Sequence, residues 1–484
     1  MSKFYVTTPI YYVNDKPHIG TAYTTVVADV LARWHRLKGE EVFFLTGTDE
    51  HGIKIYKAAM AKGKTPKEFV DAVVPEFVSA WKSLDISYDK FIRTSDKDHE
   101  ERVKKFIMKL WDNGDIYKGV YTGLYCVPDE TFVSESEAKD GKCPSCGRPL
   151  ETVSEEAYFF RLSKYKDRVI ELIKKGLVIP QEKANELLSR LQGDLKDLDV
   201  TRKSVKWGVE FPPDPSHTVY VWFDALLNYI TALGWPEEDK FDKFWPADVH
   251  IVGKDIVWFH AVIWPAMLMA AGMEPPKAVL SHGWWTIDGR KMSKSLGNVV
   301  DPVELAKKYS ADPVRYFMVR EKTVWDDGNF SEKALKERIN GELMADLSNL
   351  VARVVTLAEK TGNLRSGEAE LEGFIDFGRF SSLMDNYNIS SALEEILIGI
   401  RKVNKYFNDK KPWASTPESL SNTLYNALEA LRMISILISP FMPSVSDEID
   451  KQLGVGHGAI KDIGFKEFVG NPKRGKNIFD KLSE

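Results

Sequence analysis

The sequence predicts an α/β protein. It should hold a doubly wound, parallel-sheet domain that is split by an insertion of about a hundred residues, and an α-helical bundle should follow. Three observations predict this. Strand-like and helix-like patterns alternate over the first hundred residues, the alternation resumes after about Pro215, and beyond Ser331 the pattern is helical to about Leu453. Strand–helix–strand order in turn means parallel strands joined by crossover helices.

The elements follow in order. KFYVTTPIYYV is β-branched and aromatic and reads as a buried strand, and NDKPHIG after it is turn chemistry. TAYTTVVADVLARWHRLKG places Val26, Val27, Val30, Leu31, Trp34 and Leu37 at a helical period and stops at Gly39. EEVFFLTG is a second strand, with a helix from about Lys54 to Lys62 behind it. At about Tyr117 the pattern breaks into turns, a cysteine segment and charged helical stretches (KYKDRVIELIKKG, ANELLSRLQGDLKDLD). It resumes with HTVYVWFDALLNYI, DVHIVGKDIVWFHAVIWPAMLMAAG and KAVLSHGWWTI. Three helical runs then suggest a bundle: KALKERINGELMADLSNLVARVVTLAEKTG, ISSALEEILIGIRKVNKYFNDKK and SNTLYNALEALRMISILI. The expected division is 1–116 and 216–285 for the two halves of the sheet domain, 117–215 for the insertion, 286–335 for a loop region and 336–484 for the bundle and tail.

Composition limits the possible classes. The 484 residues are 43% hydrophobic and 28% charged, ordinary for globular proteins, and long enough for several domains. Three cysteines cannot build a secreted disulfide framework and argue for a reducing compartment. MSKFYVTTPIYY lacks signal-peptide character. The longest apolar run, IVWFHAVIWPAMLMAAG from Ile256, is broken by His260 and Pro265 and reads as a buried helix rather than a membrane span. A soluble cytoplasmic protein with no membrane partner is expected. The net charge of −5 neither announces nor excludes a nucleic-acid partner.

Three stretches carry chemistry. PHIGT, Pro17 to Thr21, lies between the first strand and the first helix, where unpaired N–H groups and the positive dipole end suit a phosphate. Alone it could be an ordinary turn with an exposed His18. GKDIVWFH, Gly253 to His260, again follows a strand; Gly253 would let a flat base approach, and Asp255 could accept from ribose hydroxyls. Alone it could be a helix start with an acidic first turn. DGRKMSKSLGN, Asp288 to Asn298, puts Lys291 and Lys294 on a loop, where two ammonium groups can follow charge building on a polyphosphate.

Together these motifs resemble the class I aminoacyl-tRNA synthetases. PIYYVNDKPHIG, TGTDEHG at Thr46 to Gly52, VYVWFDALLNYI at Val219 and the cysteine segment resemble the methionyl family over nearly the whole chain. The resemblance implies a Rossmann-type catalytic domain, with residues 286–335 holding the lysine loop and a stem contact. It implies activation of L-methionine with ATP, carried with Mg2+, to methionyl-adenylate and pyrophosphate, then transfer of methionine to the terminal adenosine of tRNA(Met). His18 and Gly20 would face the ATP phosphates, with Thr21 beside them. Lys291 and Lys294 would grip the departing pyrophosphate, and Gly253 and Asp255 the adenosine. The family motif ends in histidine where this chain has Thr21, so an altered rate or phosphate affinity is expected rather than a dead site.

By the same resemblance the methionine pocket comprises Pro9, Ile10, Tyr12, Asp49, Trp222, Ala225, Leu226, Tyr229, Ile256, His260 and Trp264. A thioether packs well on aromatic edges, and Asp49 at a strand end can hold an ammonium. Ile263 and Met267 read as plain core. The insertion leaves no room for the large editing domain of the isoleucine, valine and leucine enzymes. In the bundle, Asn349 and Arg353 lie on one helix face and Trp413 follows a basic helix end, matching the residues that read the anticodon. The chain ends soon after the bundle, so a monomer is expected, or a separate partner supplying the C-terminal domain some relatives carry. Two other classes compete. A small-molecule adenylyltransferase would not need the bundle, and a non-catalytic tRNA-binding paralogue is the other reading that Thr21 allows.

The cysteines are Cys126, Cys143 and Cys146. Zinc-bearing relatives carry paired C-x-x-C turns here, and in this chain Asp129 stands at the fourth position. A Cys3Asp zinc knuckle is chemically sound. The alternative is three reduced, metal-free thiols, since relatives without the metal often show V-P-D-E in the first turn.

Overall fold

The structure is a computed structural model that describes residues 2–14, 16–126, 131–133, 138, 140–143, 147–203, 205–287, 289–291, 299–362 and 366–483. Its first strand, Lys3–Thr7, pairs in parallel with Glu41–Asp49 on one side and Val249–Gly253 on the other. Lys90–Arg93 extends the first flank, and Val279–His282 and then Val178–Ile179 extend the second, all in parallel. The chain order therefore reverses at the first strand, and the crevice beyond the strand ends at such a switch point is where doubly wound sheets bind ligands.

Alternation along the strands explains the layers. Phe4, Val6 and Phe44 join an apolar cluster on one face, and Tyr5, Phe43 and Leu45 join another on the opposite face. The first cluster is continuous from the first helix, Ile19–Leu37, into the bundle helices Ile389–Lys410 and Pro417–Ile438. The second contains the buried helix predicted from the long apolar run. There Phe259–Ile263 is a π-helical turn and Trp264–Ala270 is α-helical. Pro265, with no N–H to give, sits just past the wide turn.

Two features differ from the sequence reading. The insertion is not wholly separate, because its Val178–Ile179 strand pairs with Val279 and Leu280 and completes the edge of the main sheet. Most of its remaining strands form an antiparallel arm, mainly Ile116–Cys126 against Glu151–Phe160, while Thr201–Arg202 pairs with Thr218–Val219. The first bundle run is one helical path, with a π-helical stretch at Ile339–Ser348 between Glu332–Arg338 and Asn349–Thr361. Among the described residues no helix is long and apolar enough to cross a membrane.

Candidate active site

A cleft of about 620 Å³ opens at the C-terminal end of the sheet, beside the switch point. Pro9 and Ile10 line it because the first strand lets go of its neighbour there. Thr8 still donates to the Leu45 carbonyl at 3.1 Å, Pro9 has no N–H, and pairing returns only at Tyr11 and Tyr12, opposite Thr48 and Asp49.

His18 caps the first helix. Its Nδ1 accepts from the Gly20 N–H at 3.0 Å, so a neutral ring carries its proton on Nε2. Gly20 is needed because a Cβ there would lie 2.8 Å from His18 Cε1. The Thr21 hydroxyl accepts from the His18 N–H at 3.0 Å and donates to the His18 carbonyl at 2.7 Å. Thr21 thus spends its hydroxyl proton on the backbone, although the residue lines the cleft. The donor expected from sequence is used to fix the turn that carries His18.

On the other side of the switch point stand Gly253 and Asp255. A Cβ at Gly253 would meet Asp255 Oδ1 at 2.7 Å, and that oxygen accepts from the Trp284 indole at 3.2 Å. Trp284 is held in turn by its own N–H to Asp327, 2.8 Å, and by Lys254, whose ammonium lies 4.3 Å from the ring centroid.

The apolar side comes from the helical turns Val221–Ala225 and Asn228–Thr231. Trp222, Ala225, Leu226 and Tyr229, at helical spacing, line the cleft with Tyr12, Asp49, Ile256 and His260. Trp222 stacks on Phe259 at 3.9 Å and meets His260 edge-on at 6.2 Å. His260 Nδ1 donates to the Ile256 carbonyl at 2.9 Å, which leaves Nε2 to accept from the Tyr229 hydroxyl at 2.7 Å. Burial pushes His260 down to about 4, so the ring is neutral.

Asp49 is buried, and among the described residues its Oδ1 has no hydrogen-bond partner. Burial, then the neighbouring Asp224, pushes its carboxyl well above the usual range. Trp264 is fully buried and does not line the cleft. It stands behind Tyr229, with ring centroids 5.9 Å apart, and donates to His250 at 3.2 Å. Ile263 and Met267 are core, as expected.

Several lining residues escaped the sequence reading. Asn228 donates to the Ala225 carbonyl at 2.6 Å, which fixes its amide orientation, and its Oδ1 is buried without a partner. Its spacing of three from Ala225 was the available signal. His282, at a strand end, accepts from Thr24 at 2.7 Å, and burial followed by the Lys322 charge lowers it to about 4. Lys54 and Trp285 also line the wall without a motif to mark them, and Tyr220 does so from within the VYVWFDALLNYI stretch.

Of the lysine loop, the backbone of Lys291 pairs with Thr286 in a short antiparallel ladder, and Lys294 lies outside the described residues. In the cysteine segment, Cys126 and Cys143 are buried together with Ala138 and Leu150 against them. The Cys143 N–H donates to the Arg148 carbonyl at 2.8 Å, and its carbonyl accepts from the Gly147 N–H at 2.9 Å. Asp129 and Cys146 lie outside the described residues, and among the described ones no group of three metal-ligating side chains gathers. In the bundle, Arg353 donates to Asn408 at 2.6 Å and lies 5.9 Å from the ring of Trp413, which is 60% exposed. Asn349 sits one turn before Arg353 on the same helix, its amide 3.7 Å from Met344 Sδ.

Known proteins share this arrangement. Residues 4–152 and 148–355 match the family described as tRNA synthetases class I (M), and residues 378–472 match the anticodon-binding domain of tRNA ligase. A class I synthetase fold joined to an anticodon-binding bundle is thus defined. Methionine--tRNA ligase of Caldanaerobacter subterraneus is 50% identical over 471 residues, covering 93% of this chain and 74% of that protein. The Thermotoga maritima enzyme of the same name is 48% identical over 473 residues, covering 93% and 75%. The solved structure of Mycobacterium tuberculosis methionyl-tRNA synthetase in complex with methionyl-adenylate is 38% identical. It superimposes with a TM-score of 0.92 over 99% of this chain and 100% of that one. The chain belongs to the methionyl-tRNA synthetase family. Its activity is the ATP-driven activation of methionine and the charging of tRNA with it.

Proposed function

We propose that the cleft performs this reaction with methionine on the aromatic side and ATP across the switch point. Asp49 takes the substrate ammonium, and Pro9, Ile10, Tyr12, Trp222, Ala225, Leu226, Tyr229, Ile256 and His260 enclose the side chain, with Trp264 supporting them from behind. Because His260 Nε2 accepts a hydrogen bond from the Tyr229 hydroxyl, the phenol oxygen keeps its place against the pocket. His18 and Gly20 hold the phosphates at the helix N-terminus, and Gly253 and Asp255 hold the adenosine. A carboxylate oxygen of methionine attacks the α-phosphorus, the bond to the bridging oxygen breaks, and pyrophosphate leaves toward Lys291 and Lys294. The terminal hydroxyl of tRNA then displaces AMP. Mg2+ bound with ATP supplies further positive charge to the phosphates.

One observation carries this reading. The capped His18–Gly20 turn, the Gly253–Asp255 turn and a buried carboxylate with an unpartnered oxygen all line a single cleft. The test is methionine-dependent ATP–pyrophosphate exchange, with and without tRNA. Exchange with methionine, and charging when tRNA is added, is expected. Exchange driven by a different small molecule would favour an adenylyltransferase, and no exchange would favour a non-catalytic tRNA binder.

Asn349, Arg353 and Trp413 form the anticodon contact, supported by the Arg353–Trp413 proximity. Residues 1–116 with 216–285, 117–215, 286–335 and 336–484 are the working units, as the sequence patterns suggest. The protein acts in the cytoplasm as a monomer, or with a separate tRNA-binding partner. Cys126, Asp129, Cys143 and Cys146 hold a structural zinc, a reading supported by the burial of Cys126 with Cys143. About one equivalent of zinc in protein purified without chelator is expected, and well under one would favour reduced thiols.

A further inference from the structure

We propose that Asp224, which faces away from the cleft, is a positioning residue for the ammonium subsite: it holds His51 beside Asp49 and ties the pocket helix to the strand end. This inference rests on Asp49 as the ammonium site.

Asp224 lies within WFDALLNY, between Trp222 and Ala225, and is itself absent from the cleft lining. It is fully buried and has two imidazole partners. Its Oδ2 lies 2.7 Å from His51 Nδ1, and its Oδ1 lies 2.8 Å from His99 Nε2. His51 Nε2 lies 3.4 Å from a Glu100 carboxylate oxygen. The ring thus sits between two carboxylates, both of which favour its protonated form. Although burial opposes it, the charge of Asp224 raises His51 to about 10.

The surrounding charges fall into pairs. Glu50 is held by Arg93 through two contacts of 2.8 Å and by Ser95 at 2.6 Å. Asp224 has His51. Of the three buried carboxylates Asp49, Glu50 and Asp224, Asp49 alone has no cation in contact among the described residues, and among them its Oδ1 has no hydrogen-bond partner. His51, two residues along the chain, is the positive charge that offsets it. The backbone is clamped at the same place: the Trp207 indole donates to the Glu50 carbonyl at 2.5 Å, Gly52 N–H donates to the Trp207 carbonyl at 3.0 Å, and the Tyr12 hydroxyl donates to the His51 carbonyl at 3.1 Å. Asp224 therefore joins two walls of one pocket. The segment that bears Trp222 and Tyr229 is bonded, through His51, to the segment that bears Asp49.

The experiment is ATP–pyrophosphate exchange on Asp224→Asn and His51→Gln, with Asp49→Asn as the reference. In each of the first two variants, the KM for methionine should rise about tenfold and the KM for ATP should stay within twofold. Inhibition by 4-(methylthio)butanoate, which is methionine without its amino group, should be unchanged, because only the ammonium contact is weakened. A rise in both KM values together, or equal weakening of the inhibitor, would overturn the proposal and make Asp224 a general structural residue. If Asp224→Asn does not fold, His51→Gln carries the test, since its amide can still donate to Asp224 while the cation is gone. If Asp49→Asn raises the KM for methionine and neither other variant does, the positioning role fails alone. If Asp49→Asn leaves that KM unchanged, the ammonium reading of Asp49 fails, and the proposal with it.

Discussion

The cleft and the exposed Trp413 face of the bundle are built on opposite terms. Around the cleft, polar side chains are buried and bonded to one another: Asp224 to His51 and His99, Tyr229 to His260, Thr24 to His282. In the bundle, Trp413 is 60% exposed, and Arg353 spans toward it across Asn408. A small ligand needs a site fixed in advance, because it brings few contacts with which to order one. A large partner brings its own surface, so exposed aromatic and guanidinium groups suffice to meet it. The first end is read from burial and the second from exposure.

The strongest way to disturb both ends at once is the contact that joins them. Asp29, on the helix that begins at His18, and Arg315 are both fully buried and lie 2.7 Å apart. Arg315 also donates to the Phe441 and Pro440 carbonyls at 3.0 and 2.9 Å, at the end of the bundle helix Pro417–Ile438. Breaking a buried pair typically costs about 3–5 kcal/mol; Asp29 keeps Arg33 at 2.8 Å and Ser87 at 2.7 Å, so the lower end of that range applies here. Arg315→Met should therefore lower stability in urea by about that amount. The double variant with Asp29→Leu should recover much of it, and a loss under about 1 kcal/mol would mean the pair contributes little.

Next in size is the response to pH, which belongs to the cleft end. His260 and His282 are buried and lowered to about 4. An unfolded chain binds their protons near 6.5, so their stabilisation is complete above that pH and is lost as pH falls toward 4, by about 3 kcal/mol each. His51 acts with the opposite sign. Raised to about 10, it stabilises fully below 6.5 and loses that contribution as pH rises to 10. Urea midpoints across pH 4 to 10 should therefore peak near neutrality, and His51→Gln should flatten the alkaline limb. A wild-type curve without an acid limb would contradict neutral, buried His260 and His282.

The two ends also differ in how legible they were. Strand–helix alternation located the sheet, the insertion and the bundle because each pattern reflects a face that must be buried. The motif residues on the cleft wall, Trp222, Ala225, Leu226 and Tyr229, were legible through the family resemblance of the WFDALLNY stretch, and their helical spacing brings them to one wall. Asp224 was not, because its partners His51 and His99 come from distant segments and no local spacing encodes a three-body contact. Trp264 shows the reverse error. The family resemblance put it in the pocket lining, but the wide π-helical turn before it and the rings of Tyr229 and Trp245 place it one layer back. The strand Val178–Ile179 is two residues long, too short for any periodicity to mark.

A smaller effect is expected at the exposed end. Stacking of a base on an aromatic ring is worth about 1–3 kcal/mol. Trp413→Ala should therefore raise the KM for tRNA about tenfold while methionine-dependent exchange stays within twofold. Because Trp413 is mostly exposed, folding should barely change. If exchange and tRNA charging fall together, the ring supports the bundle instead of meeting the anticodon, and the contrast between the two ends is broken.

The smallest effect should come from Thr21. Its hydroxyl closes a reciprocal cap with His18, at 3.0 and 2.7 Å, at the start of the first helix. Loss of such a cap costs about 1 kcal/mol. Thr21→Val keeps the shape and removes both bonds, so stability should fall by about that much. The KM for ATP should rise a few-fold, because the turn that aims His18 is loosened. Thr21→Ser keeps the hydroxyl and should restore both. Thr21→His restores the last residue of the family motif but cannot close the same cap with a hydroxyl. If Thr21 acts mainly through the turn, Thr21→His should lose stability as Thr21→Val does. If it gains exchange rate at unchanged stability, a direct phosphate contact at this position outweighs the cap.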